Sequence, residues 1–130
     1  MNRANDWLQQ AGRDIEHSRL SLDNGFYEWA CFSAQQAAEK AVKALIQTLG
    51  GEGWGHSVTR LLEELPEEIA CSSELIENAK ELDQHYILSR YPNAHPQGAP
   101  TDYYTRNQAQ RIIEYAEEII RFCENKISQS

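Results

Sequence analysis

An all-α bundle of about five up-and-down helices is the fold class this sequence predicts, and three observations predict it. Apolar residues recur at three- and four-residue spacing in every long segment, which places them on one helical face. The breaks at Asp23 to Gly25, Gly50 to Gly55, Pro66 and Pro92 to Pro100 fall between those segments rather than inside them. The length of 130 residues suits one domain over 1–130, because folding can bury about two-thirds of the chain's surface and no second core has room to form. No repeat or low-complexity tract divides it.

The first helix is expected from Asn5 to Leu22, where Trp7, Leu8, Ala11, Ile15, Ser18 and Leu22 share an arc of about 100°. Asp14 lies at the edge of that arc and needs a partner, whereas Glu16 points into solvent. The second helix runs from about Phe26 to Leu49 and carries a stripe of small residues, among them Ala30, Ala34, Ala37, Ala38 and Ala41, against which another helix can approach closely. Phe32, Val42 and Ile46 extend its apolar surface beyond the stripe. The helix is therefore either central in the bundle or shared with a second subunit, and these three residues are the candidate dimer surface. Ser57 caps a short third helix with Val58, Leu61, Leu62 and Leu65. In a fourth, from about Glu74, the stripe Leu75, Ala79, Leu82 and Tyr86 continues to Arg90 before Pro92 ends it. His85 is expected to be partly solvated. The stretch Tyr91 to Tyr104 holds three of the four prolines and reads as a rigid surface loop. Thr105 and Gln108 have capping-box spacing and open the last helix, whose apolar arc runs from Ala109 to Ile127.

The net charge of −8 opposes indifferent binding along a polyphosphate backbone. Eight of the twelve cations are arginine, however, and a guanidinium fork suits a local phosphate site. No apolar run is long enough to span a bilayer. The first residues lack the basic-then-apolar order of a secretory signal, so a cytoplasmic location is expected. Cys31, Cys71 and Cys123 have no metal-ligand spacing and read as reduced, buried thiols; no metal or cofactor is implied.

Arg90-Tyr-Pro-Asn-Ala-His95 carries the most chemistry. An imidazole moves protons near neutral pH and a guanidinium stabilises charge on phosphorus, so together they serve phosphodiester chemistry without a metal. Chance supplies about 0.7 Arg–His pairs at such spacing in this composition, so spacing alone leaves a second reading open. In that reading Arg90 caps its own helix or pairs with an acid such as Asp14, and His95 stabilises the loop. Gln35, Gln36, Glu39 and Lys40 are read as having a structural or dimer role, with Glu39 and Lys43 an i,i+4 pair. His56 is read as part of a helix entrance. Tyr103 and Tyr104 precede a helix cap, where a staple is the ordinary role and stacking or modification the alternative.

Taken together, Asn5-Asp6-Trp7-Leu8, the run WACFSAQQAAEKAVKAL from Trp29 to Leu45, Gly55-His56-Ser57, Arg90-Tyr91-Pro92 and Tyr104-Thr105 resemble the HEPN domain over nearly the whole chain. The resemblance implies a five-helix bundle that forms a homodimer, with further pairing into tetramers left open. It also implies a minimal nucleotidyltransferase as partner in a toxin–antitoxin arrangement. Many relatives of this kind are metal-independent ribonucleases whose Arg and His meet the same pair of a second subunit. Arg90 and His95 occupy that motif here, with Asp14, Tyr91 and Asn93 as supporting residues. In one toxin subgroup a tyrosine two residues after the histidine is adenylylated; Gln97 stands there in this chain, which leaves Tyr103 and Tyr104 as distant substitutes. Three functions are thus expected as alternatives: a subunit that works with a nucleotidyltransferase and binds a nucleotide or RNA phosphate, a ribonuclease acting alone, or a non-catalytic interaction module.

Overall fold

In the computed structural model, which describes residues 2–69 and 71–130, all the regular structure is helical, with no strand among the described residues. Helix α1 spans Ala4–Asp23 and α2 spans Tyr27–Thr48, within a residue or two of the periodicity. A tight reversal joins them, with the Phe26 amide donating to the Ser21 carbonyl at 2.8 Å. The alanine stripe does what small side chains permit. Ala30, Ala34, Ala37, Ala38 and Ala41 are fully buried, and the Ser18 hydroxyl of α1 donates to the Ala30 carbonyl at 2.6 Å, a reach that larger residues would prevent.

Helix α2 is the central element. It packs against α1 on one side and against α6 (Arg106–Ser128) on another, while α3 (Val58–Glu63) and the segments after it cover the rest. Val42 is 0% exposed and Ile46 8%, both covered by their own chain. That corrects the expected dimer surface: these two residues complete the core, and only Phe32, half-buried, stays near the outside. Cys31 and Cys123 are buried thiols as expected, but Cys71 is half-exposed.

The fourth helical unit departs from expectation. Helix α4 (Ser73–Asp83) ends at Gln84, and a single turn, α5 (His85–Leu88), follows. The buried register also shifts by one residue, because His85 is 5% exposed and Ser89 1%, whereas Tyr86 is half-buried. The spacing Leu75, Asn78, Ala79, Leu82, His85, Ser89 is a proper helical stripe, but three of its members are polar. His85 can enter the core because its Nδ1 lies 2.8 Å from the Tyr104 hydroxyl, and the Ser89 hydroxyl donates to the His85 carbonyl at 2.6 Å. Burial, moderated by Glu81 and reinforced by Arg111, pushes the His85 pKa down to about 4.

Asp83 closes the end of α4 against the start of α3. Its carboxylate accepts the Val58 and Thr59 amides at 2.9 Å each, the Thr59 hydroxyl at 2.7 Å and the Ser57 hydroxyl at 3.1 Å. The Ser57 hydroxyl in turn accepts the Arg60 amide at 3.2 Å, the N-cap the sequence predicts. Thr105 caps α6 in the same way, accepting the Gln108 amide at 3.2 Å. Between α5 and α6 the chain makes two short turns, Pro92–Ala94 and Pro100–Tyr103.

Candidate anion-binding site

Arg90 lies two residues past α5, its amide donating to the Ile87 carbonyl at 3.1 Å, and three aromatic rings enclose its guanidinium. Cζ lies 4.3 Å from the centroid of Phe32, 4.6 Å from Tyr86 and 4.9 Å from Tyr91. Nε donates to the Tyr86 carbonyl at 2.8 Å, which is the helix-capping contact one reading of the sequence anticipates. The two terminal amino groups make no hydrogen bond, and no acidic side chain lies within 4.0 Å, among the described residues. The expected pairing with Asp14 does not form. Asp14 faces α2, where Lys40 Nζ sits 2.5 Å from its Oδ2 and Gln10 donates to Oδ1 at 2.9 Å. Aromatic faces supply the electrostatic compensation that a carboxylate was expected to give.

His95 is held elsewhere. Its Nε2 lies 2.7 Å from the Leu88 carbonyl, which can only accept, so Nε2 carries the proton in the neutral ring and Nδ1 is the basic atom. The ring stacks on Tyr103 at 4.3 Å with 13° between planes, and the Tyr103 hydroxyl donates to the Gln97 carbonyl. Among the described residues His95 and Arg90 have no side-chain hydrogen-bond or ring partner in common. Asn93 is exposed beside them. Tyr103 is exposed and shields the His95 ring, whereas Tyr104 is buried and faces His85, so the two adjacent tyrosines have different surroundings.

A second cluster reaches the same aromatic surface, and sequence spacing alone does not assemble it. Glu39 on α2 is 3% exposed, and its carboxylate accepts Lys43 Nζ at 3.0 Å and Gln36 Nε2 at 3.2 Å. His56 Nδ1 lies 3.2 and 3.3 Å from its two oxygens. The His56 ring stacks on Tyr86 at 4.9 Å with planes 16° apart, and its carbonyl accepts Gln35 Nε2 at 2.7 Å. Tyr86 thus touches both the Arg90 guanidinium and the His56 imidazole. The signal in the sequence is the run Gln35, Gln36, Glu39, Lys43: polar residues set among the alanines of the α2 stripe.

Exposed apolar residues flank these rings: Trp29 on the first turn of α2 meets Phe32 edge-on at 6.1 Å, and Ile87 and Tyr91 lie on either side of Arg90 in sequence. Among the described residues no helix is long and apolar enough to cross a membrane.

Comparison with known proteins places this geometry in a family. The chain superimposes on TT1696 of Thermus thermophilus with a TM-score of 0.95 and 48% identity, covering 97% of this chain and 99% of that one. It superimposes on an HEPN domain protein of Thermotoga maritima with a TM-score of 0.78 and 45% identity, covering 96% and 99%. It is also similar to a Methanocaldococcus jannaschii protein named, provisionally, as a toxin: 24% identical over 123 residues, 88% of this chain and 81% of that protein. The HEPN domain matches residues 4–126, and the chain belongs to that family.

Proposed function

We propose that the protein is a homodimeric HEPN subunit that works beside a small nucleotidyltransferase in a toxin–antitoxin arrangement and binds the phosphate of a nucleotide or RNA at Arg90. One observation carries the reading: a half-buried guanidinium, fixed by three rings and a carbonyl, keeps both terminal amino groups and its whole positive charge unclaimed by any acid among the described residues. Arg60, Arg106 and Arg121 also make no ion pair among the described residues, but they are exposed to water, whereas Arg90 is half-buried and held in place, and that combination suits an anion from outside. The provisional toxin name of the archaeal relative supports the wider setting. Homodimer contacts fall on Trp29, Ile87 and Tyr91, exposed apolar residues next to the site, with Phe32 behind them. The flanking genes and a titration test the partnership. The product of an adjacent nucleotidyltransferase gene is expected to bind more tightly than a generic single-stranded RNA at physiological salt. Submicromolar RNA affinity that falls steeply with salt would reverse that order.

The Arg-x4-His spacing favours a second reading, a metal-independent endoribonuclease in which Arg90 stabilises the phosphorus and His95 transfers the proton. For this chemistry His95 must act through Nδ1 or leave the Leu88 carbonyl, with Tyr91 and Asn93 alongside. RNA cleavage in the presence of a chelator, lost in His95→Ala with the fold intact, is the result this reading requires.

A further inference from the structure

We propose that His56, oriented by Glu39, is the second arm of the Arg90 site and binds the same nucleotide phosphate through Nε2. The inference rests on the phosphate reading of Arg90 and adds a residue that lies 34 positions away in sequence and has no place in the Arg-x4-His motif.

The first reason is that His56 is held far more firmly than an exposed loop residue needs to be. Its side chain is 57% exposed, yet the ring is fixed at Nδ1 by Glu39 and on one face by Tyr86, and the backbone by Gln35. Gly55, with φ +84, makes the turn that delivers it, and Gly53 lets the loop press between α2 and α3, where a Cβ would meet Leu61 of α3 at 3.0 Å and Lys43 of α2 at 3.1 Å. Asp83 then locks the chain on the far side of His56 by holding Ser57, Val58 and Thr59. Restraint of this kind suits a side chain that must present one atom in one direction.

The second reason is that Glu39 does not need His56 for its own charge. Lys43 already neutralises it at 3.0 Å inside the protein, and Gln36 fills a further acceptor position. What the carboxylate does for the imidazole is specific: it can only accept, so Nδ1 carries the proton and Nε2 is left outward with no protein partner among the described residues. Nε2 so placed accepts a proton-bearing phosphate oxygen, or donates to a bare one when the ring is charged.

The third reason is place. Arg90 and His56 both lie against the Tyr86 ring, 4.6 and 4.9 Å from its centroid, so guanidinium and imidazole are at most about 10 Å apart, and a nucleotide phosphate with a bridging water reaches both past the edge of that ring. Glu39 is a positioning residue here, and His56 touches the ligand.

The test uses 15N-histidine-labelled full-length protein titrated with adenosine monophosphate and, separately, with the dinucleotide ApA, the first a free nucleotide and the second an internal RNA phosphodiester. In the unliganded neutral ring, Nε2 of His56 should have the chemical shift of an unprotonated nitrogen, and it should move on adding at least one probe. Arg90→Ala and His56→Ala should each weaken that binding about tenfold or more, while His17→Ala, an exposed histidine on α1, should stay within twofold. Glu39→Gln should scramble the His56 tautomer; should that variant fail to fold, the wild-type nitrogen shifts still report the tautomer. Unmoved His56 signals together with wild-type affinity in His56→Ala, while Arg90→Ala loses binding, would overturn this inference and leave the Arg90 reading standing. If neither probe binds, both fall.

Discussion

Arg90 shows how a charge is kept half-buried without an acid. Each ring face contributes about 0.5–2 kcal/mol, depending on desolvation, so Phe32, Tyr86 and Tyr91 together offset much of what burial costs the guanidinium. Arg90→Ala is therefore expected to lower stability by about 1–2 kcal/mol in urea unfolding, and an unchanged midpoint would mean the cage contributes nothing. His85 makes a different prediction. Its folded pKa of about 4 lies below the usual 6.5, so the unfolded chain binds the extra proton between those values. Stability from this residue is complete above about pH 6.5 and falls as pH drops toward 4, by roughly 3 kcal/mol in all. His85→Asn should flatten that part of the pH–stability curve relative to wild type; an unchanged slope would place the effect elsewhere.

At the scale of elements, the helix ends were legible and one helix interior was not. Ser57 and Thr105 cap where local chemistry says they should, because an N-cap is a matter of four consecutive residues. The break at Gln84 and the shifted register were hidden because His85 and Ser89 are polar residues in apolar positions, and their satisfaction comes from Tyr104 and from the backbone. Asp83 was equally invisible, since it caps a helix that begins 25 residues before it. The Glu39–Lys43 pair was legible from its spacing; that His56 joins it was not, because only the fold brings the loop onto α2. Asp83→Ala should strand the Val58 and Thr59 amides and cost about 2–4 kcal/mol, and it should also broaden the His56 signals, since the segment after His56 would be untied. Loss of stability with His56 signals unchanged would show that the loop is held by Glu39 and Gln35 alone.

Over the whole molecule, the bundle places its one unclaimed, caged arginine among the described residues where α2, α5 and the loop before α3 converge, and surrounds it with exposed aromatic surface. The resemblance to the HEPN domain was readable because its motifs are spread over all the helices, so each supports the others. The partner of Arg90 was misjudged because a carboxylate at the edge of an apolar arc names no particular cation: Lys40 is nearer to Asp14 across the α1–α2 contact. The central claim is that this guanidinium is a phosphate fork. Calorimetric titration of adenosine monophosphate into wild type and Arg90→Lys tests it most directly, since lysine keeps the charge but loses the planar pair of donors. The account predicts that Arg90→Lys binds at least about tenfold more weakly; affinity within twofold of wild type would contradict it.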